Sequence, residues 1–446
     1  MKSATPKHLH PVGGVPIVER VIRAGLAIAP DRLMVVVSSA LEDLPARLGM
    51  DGQFEVTVQE TANGTAGAVQ CALDAIGPCE WIVSLLGDNP LLTGEKIAEL
   101  VVGAKTKGAR IGILTTETVR EKYGRIERDT RGNILRIVEH KQDSEEDQKR
   151  HAGVVEINSG IMVLDARWAR EALAHLAVDP DTNEFLLTDL IGMAVSEHRD
   201  GEPWPVINVN ATREMAIGVN NREQLAEADA FARAAVRRHL MNEVGVTMIG
   251  PETIFIDETV TIGQDTVIHP FTVITGATTI GANCRIGPHA VIENATIGDD
   301  VAVIGATVVG SSIETGSSVG PYARLRQGAA IGPDVHIGNF VEVKNSSLGA
   351  GTKAGHLAYL GDATVGERVN IGAGVITANY DGVNKHRTRI GDDAFIGSDS
   401  VLVAPRTVGD RGRTAAGSVV THDVDPDTLV MGVPARPRAA GRSDKA

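Results

Sequence analysis

An aliphatic residue returns at every sixth position through much of the second half of this chain. The series runs Ile262, Ile268, Ile274, Ile280, Ile286 and Ile292, then Val319, Leu325, Ile331, Ile337 and Val343, then Ile390, Ile396 and Leu402. A helix at 3.6 residues per turn would sweep such a series around its whole surface, and a flat strand needs only alternation. A period of six suits a coil of short parallel strands joined by sharp corners, in which one side chain per repeat points inward. Glycine follows many of these residues, as in Ile280-Gly281, Ile286-Gly287, Ile331-Gly332 and Ile337-Gly338, where a Cβ would clash or φ is positive. The pattern predicts a parallel β-helix from about Met248 to about Pro434, with about eighteen residues per three-sided turn and about ten turns.

Bulk properties fit that reading. A chain of 446 residues is long enough for more than one core. Its hydrophobic share of 43% contains only 3% aromatic residues, as a narrow solenoid interior with little room for large rings requires. A net charge of −14 argues against a nucleic-acid backbone as partner, although small phosphorylated ligands need only a few local cations. Cys71, Cys79 and Cys284 are far apart and lack metal-ligand spacing, so reduced thiols are expected. The longest apolar stretches, such as Trp81 to Leu86, are far too short to span a membrane, and the first residues lack a signal-peptide core. A cytoplasmic protein with no membrane or nucleic-acid partner is the expectation.

Residues 1–222 alternate helix-like and strand-like segments: a helix over Ile17 to Ala29, a buried strand over Leu33 to Val37, a helix over Gly67 to Ala75, and a buried strand over Trp81 to Leu86. Such alternation predicts an α/β domain with a parallel sheet covered by helices on both faces. Ligands gather at the carboxyl ends of such strands, so Asp88 in Gly87-Asp88-Asn89-Pro90 lies where chemistry is expected. Residues 142–150 are a charge run, read as solvated surface, and the alanine-rich segment 223–247 as a helical connection. The six-residue beat fails between Ile376 and Arg389, where a polar stretch must loop out of the coil. Residues 435–446 are expected to be a disordered tail.

If Ala354 and Leu360 fill inward slots, His356 and Tyr359 lie on the outer wall. By the same register Arg326 follows inward Leu325, and Lys344 follows inward Val343. A single exposed histidine or lysine is ordinarily solvated surface. As a group, two cations able to hold a phosphate and an imidazole able to take a proton near neutral pH make a candidate catalytic constellation.

Three stretches carry a family resemblance: Lys353-Ala354-Gly355-His356-Leu357-Ala358-Tyr359-Leu360-Gly361-Asp362, Val369-Asn370-Ile371-Gly372-Ala373-Gly374 and Ala378-Asn379-Tyr380-Asp381-Gly382. They closely resemble segments of the bifunctional bacterial enzymes that make UDP-N-acetylglucosamine, and the likeness covers nearly the whole chain. It implies a left-handed β-helix and a homotrimer with active sites between chains. It also implies acetyl transfer from acetyl-CoA to glucosamine 1-phosphate. His356 would be the general base. Arg326 and Lys344 would hold the sugar phosphate, with Tyr359, Asn370, Asn379 and Tyr380 around the sugar and thioester. Ala373, Ser398 and Ala416 would contact the coenzyme, and Arg436 stands near the position of a coenzyme-binding arginine in the family.

In the first domain, Thr5-Pro6-Lys7-His8-Leu9-His10-Pro11-Val12-Gly13-Gly14 resembles the lysine segment of sugar-nucleotide pyrophosphorylases. Gln59, Gly64-Thr65, Gly87-Asp88, Tyr123-Gly124-Arg125, Glu139, Asn158 and Asn220 follow in the family's order. The resemblance implies uridylyl transfer from UTP to N-acetylglucosamine 1-phosphate. Gln59, Gly64 and Thr65 would read the uracil, and Lys7, Gly124, Glu139 and Asn158 would contact the UDP-sugar. Asp88 and Asn220 would bind Mg²⁺, an oxygen-seeking ion suited to a site with a single carboxylate. The family pattern places a strand and the loop Leu-Ala-Ala-Gly-x-Gly-Thr-Arg ahead of the methionine that is Met1 here, a loop that would wrap the triphosphate. Either the reading frame begins upstream, or the first domain is inactive and the chain is an acetyltransferase alone. A non-catalytic trimeric assembly module is the third reading.

Overall fold

A computed structural model describes residues 1–119, 123–139, 153–179, 184–216 and 218–437. It separates into two compact units, Met1–Phe231 and Ala232–Ala446. The charge run at 142–150 lies outside the described residues.

The first unit begins with the short hairpin β1 (Pro11–Val12) and β2 (Val15–Pro16), followed by α1 (Ile17–Leu26). Helix α1 buries Ile17, Val18, Val21 and Ile22, a spacing that collects apolar side chains on one helical face. Strand β3 (Met34–Val37), helix α2 (Leu44–Leu48), strand β4 (Glu55–Val58), helix α3 (Thr65–Ile76), strand β5 (Trp81–Ser84) and helix α4 (Gly94–Lys107) continue the predicted alternation. Then come β6 (Ile111–Val119), β7 (Arg125–Arg128), β8 (Ile134–Val138), β9 (Val154–Asp165), α5 (Ala166–Leu173), α6 (Asp189–Ser196), β10 (Val206–Asn210), α7 (Arg213–Ala216) and α8 (Arg222–His239).

The sheet differs from the all-parallel expectation. Strands β3 and β4 pair in parallel as a separate two-stranded sheet, and β10 runs parallel to β6. Strand β9 is antiparallel to β5, β6 and β7. Parallel neighbours need a crossover connection, and β7–β8 is a hairpin that reverses the chain instead. Strand β9 is irregular at its middle: its pairing with β6 shifts register, and Gly160 adopts a φ of 81°. That irregularity falls beside Asn158 and Ser159. Strand β5, expected to be buried, is half-buried along its length.

The second unit is the three-sided coil. Its three parallel sheets hold twelve, ten and nine short strands, the last strand of the largest running antiparallel. All fourteen aliphatic residues of the six-residue series are buried, none more than 6% exposed. The beat is broken without breaking the coil. Ile297, Val308, Ile313, Leu348 and Val365 each follow the preceding inward residue by five positions and are also buried. The inward slot is a requirement of packing, so a corner can shorten by one residue while the column of side chains stays filled.

Structure also separates the two reasons offered for glycine. Gly281 and Gly338, each following an inward isoleucine, need space: a Cβ on Gly338 would stand 1.9 Å from the carbonyl oxygen of Gly355 on the next turn. The left-handed corners are instead taken largely by other residues, including Asp265, Asn283, Asp334 and Arg368.

Residues 379–387 leave the coil between strands Ile376–Ala378 and Thr388–Ile390. Order extends beyond the predicted start of the tail. Ala435 is buried, and Arg436–Pro437 pair with Val430–Met431, because an antiparallel return covers the last turn. Residues 438–446 lie outside the described set. Among the described residues no helix is long and apolar enough to cross a membrane.

Candidate active sites

In the first unit, Lys7 sits in a single 3₁₀ turn after Pro6, Asp88 lies past the carboxyl end of β5, and Asn220 lies two residues before the start of α8. The fold brings all three together. The Lys7 ammonium donates to Asp88 Oδ2 at 2.7 Å and to Asn220 Oδ1 at 3.0 Å. Asn220 is held by its own backbone N–H, which donates to Gln224 Oε1 at 2.8 Å. Gln224 in turn donates its N–H to Asn221 Oδ1 at 2.8 Å, a side-chain cap on α8. Two oxygen acceptors already converge on one cation, the Lys7 ammonium, so the donor set fits Mg²⁺ with waters and phosphates completing its shell.

Glu139, Gly124 and Asn158 form a second group. The Asn158 N–H donates to Gly124 O at 2.9 Å, and a Cβ on Gly124 would lie 3.2 Å from both carboxylate oxygens of Glu139. Gln59, Gly64 and Thr65 form a third, at the N-terminus of α3. Gln59 Nε2 donates to Asn63 Oδ1 at 2.7 Å, and Gly64 has a φ of +97° with its Cα face against Phe185 O.

Sequence reading missed what links the groups. Thr188 donates its hydroxyl to Glu139 at 3.1 Å, and Leu187 N–H donates to Thr65 Oγ1 at 3.2 Å. Asn89, next to Asp88, donates to Ser159 O, next to Asn158, at 3.5 Å. No motif marks Thr188 or Leu187; only the folded chain places them. His8 was also passed over. Its ring lies beside Gly87, and burial followed by the Lys7 charge pushes its pKa below the usual histidine value, against the pull of Asp88. The neutral imidazole is therefore favoured at pH 7.

In the coil, Ala354 and Leu360 are fully buried and His356 is exposed. The His356 Nδ1 lies 2.6 Å from Asn339 Oδ1 on the preceding turn, in register across the two strands. An amide oxygen can only accept, so Nδ1 carries the proton and Nε2 keeps its lone pair for chemistry. The pairings Lys353 with Asn370, Asn370 with Phe395 and Phe395 with Arg413 put His356, Ala373, Ser398 and Ala416 on one line along the coil. Backbone hydrogen bonds from Asp399 N to Ala373 O (2.7 Å) and from Gly417 N to Ser398 O (2.8 Å) hold that line together. Asn370 shares this face.

Arg326, Lys344 and Tyr359 belong to the adjoining face. Arg326 is paired with Glu342 at 2.9 Å. Tyr359 lies over Gly361, the residue in register with Lys344, and its hydroxyl occupies the space a side chain there would need. Lys385, from the excursion, is not among the predicted site residues, and the excursion reaches Lys344 through Asp362, whose N–H donates to Lys344 O at 3.0 Å and whose carboxylate accepts from Asn379. The Lys344 ammonium lowers the pKa of Lys385, against the opposing pull of Asp362 and Tyr359. Two ammonium groups so placed make a ready anion site. Burial opposes the charge on Asp362, but Asn345 and Asn379 donate to its carboxylate and Lys344 adds its charge, holding its pKa below the usual carboxylate value. Tyr380 is 60% exposed, and Arg436 lies in the strand that closes the coil.

Comparison with known proteins follows this division. A MobA-like NTP transferase domain model matches residues 1–188. Bacterial transferase hexapeptide repeats match residues 259–294, and the hexapeptide repeat of succinyl-transferase matches residues 387–422. The coil is thus the left-handed β-helix of hexapeptide proteins. The bifunctional protein GlmU of a Synechococcus strain is 40% identical over 434 residues, covering 97% of this chain and 94% of the relative. That of Exiguobacterium sibiricum is 41% identical over 446 residues, covering 100% and 96%. That of a Geobacillus strain is 41% identical over 432 residues, covering 96% and 92%. With such identity sustained across both units, the chain belongs to the bifunctional GlmU family of transferases.

Proposed function

We propose that this chain acetylates glucosamine 1-phosphate with acetyl-CoA in its coil and couples N-acetylglucosamine 1-phosphate to UTP in its first unit. The observation that carries the reading is the His356–Asn339 pair on the line of Ala373, Ser398 and Ala416, next to a face bearing Lys344 and Lys385. That arrangement aligns a base with a coenzyme track and sets an anion site on the adjoining face.

In acetyl transfer, the sugar nitrogen attacks as the neutral amine, its ammonium proton already lost to solvent, and Nε2 of His356 takes a further proton from it as it attacks. The new C–N bond forms at the thioester carbonyl, the C–S bond breaks, and coenzyme A leaves as the thiolate, which takes up the released proton. Lys344, Lys385 and Arg326 hold the sugar phosphate. Tyr359, Asn370, Asn379 and Tyr380 surround the sugar and the thioester. A backbone N–H is the best donor for the developing oxyanion.

In uridylyl transfer, Gln59, Gly64 and Thr65 read the uracil, while Gly124, Glu139 and Asn158 position the acetylated sugar. Lys7 neutralises phosphate charge. Asp88 and Asn220 would hold Mg²⁺, which when bound would screen the triphosphate as the sugar phosphate attacks and pyrophosphate leaves.

The coil is proposed to act as a homotrimer in the cytoplasm. Tyr322, Phe340 and Leu357 are 68%, 54% and 60% exposed along the corner beside His356, and the Tyr322 and Phe340 rings stack 5.5 Å apart. Such an apolar ridge suits burial against a second copy. Thiol release from acetyl-CoA with glucosamine 1-phosphate tests the first activity, and Mg²⁺-dependent pyrophosphate release tests the second. Wild-type acetylation by His356→Ala would remove the assigned base. Absence of pyrophosphate release would leave an acetyltransferase alone.

A further inference from the structure

The excursion 379–387 is built around a single side chain. Asp381 Oδ1 accepts the backbone N–H groups of Val383 (2.8 Å) and Asn384 (2.6 Å), while Oδ2 lies 2.6 Å from His386 Nε2. The backbone closes over the same centre. Asp381 N–H donates to Asn384 O at 3.1 Å, and His386 N–H donates to Asn379 O at 2.7 Å. Tyr380 and Lys385 form an antiparallel bridge, and the Tyr380 hydroxyl donates to Gly382 O at 2.6 Å. The Asp381 carboxyl, with these donors, is held down to about 2.

Lys385 follows directly from this closure. It is itself the bridge partner of Tyr380 and directly precedes His386. The excursion lies against Lys344 because Asn379 donates to the Asp362 carboxylate while the Asp362 N–H donates to Lys344 O at 3.0 Å. There the Lys344 ammonium repels that of Lys385 and Asp362 attracts it. A surface lysine has a long, mobile side chain, and opposing charges of this kind do not by themselves fix where its ammonium rests. Something must hold its backbone there, and the described contacts supply one device.

We propose that Asp381 and His386 form a clasp that positions Lys385 against Lys344, so that the two ammonium groups form a phosphate site before the sugar arrives. Neither clasp residue touches substrate; both are positioning residues. The inference rests on the acetyl-transfer reading of the coil and deepens it by naming what organises its anion site. Preorganisation of this kind lowers the cost of binding without adding a contact.

A double-mutant cycle tests it, using the full-length protein and glucosamine 1-phosphate as variable substrate. His386→Ala is expected to raise KM for the sugar phosphate about tenfold, leave KM for acetyl-CoA unchanged, and lower kcat by less than about threefold. His386→Gln, which keeps an N–H donor, is expected to recover most of that loss. Lys385→Ala should raise the same KM, and adding His386→Ala to it should cost nothing further, because the clasp acts through Lys385. Additive effects of the two substitutions, or a rise in both KM values together, would overturn the clasp. An unchanged KM in Lys385→Ala alone would instead refute the phosphate-site reading beneath it. Circular dichroism of each variant separates these outcomes from loss of the coil.

Discussion

Replacing Asn339 by aspartate changes one atom in the pair that holds His356, and the consequence for acetylation has a definite sign. The imidazole Nδ1 lies 2.6 Å from Asn339 Oδ1, so a carboxylate in the same place would face the ring directly. With charge centres about 4 Å apart the attraction to an imidazolium is about 1 kcal/mol in water and about 4 kcal/mol at an effective dielectric of about 20. His356 is exposed, which puts the expected value near the lower figure. At about 1.4 kcal/mol per pK unit, the imidazolium of Asn339→Asp should lose its proton about one unit higher than in the parent protein. Catalysis requires the neutral ring, so the acidic limb of kcat/KM for acetylation should move to higher pH by about one unit while the alkaline plateau is retained. Asn339→Ala, which releases the tautomer, should lower kcat about tenfold without moving that limb in the same direction. The assay is thiol release across about pH 5.5 to 9 at saturating acetyl-CoA, which spans the interval in which an imidazole can change charge. An acidic limb that stays in place in Asn339→Asp, in a protein that remains folded, would refute the idea that this amide controls the base.

Other outcomes follow from the same geometry. His356→Ala should lower acetylation about 10²- to 10⁴-fold, the usual contribution of a general base, while pyrophosphate release by the first unit continues unchanged. Asp88→Asn keeps an oxygen near Lys7 but removes the carboxylate, so the Mg²⁺ concentration for half-maximal uridylyl transfer should rise at least about 10-fold, with weaker Mg²⁺ binding by calorimetry. Ile286→Ala leaves a cavity in a column that is 0% exposed, and should destabilise the coil by about 2–5 kcal/mol, read as a lower melting midpoint. Gly338→Ala forces a methyl group to within 1.9 Å of Gly355 O, one residue before His356, and should lower both melting midpoint and acetylation.

Much of the molecule was legible because the coil obeys a one-dimensional rule. Each inward slot must be filled by an aliphatic side chain, so Ile262 through Leu402 announce both the period and the outward position of His356, Lys344 and Tyr359. Corner length obeys no such rule, which is why Val308 and Ile313 fall outside the six-residue series although they are buried like the rest. In the first unit the resemblance named Lys7, Asp88 and Asn220, residues 213 positions apart at the extremes, and their meeting at one ammonium belongs to the tertiary structure alone.

From its sequence the chain determined its coil, its inward columns and the chemical types at both candidate sites, because packing period and motif are local or repeating properties. Folding alone decided that Asn339 faces His356 Nδ1, that the excursion bearing Lys385 meets Lys344 through Asp362, and that Thr188 joins the Glu139 group. Those partners meet through strand register or through loop closure over Asp381. Pairing energies of that kind depend on distances between segments, which no stretch of residues carries by itself.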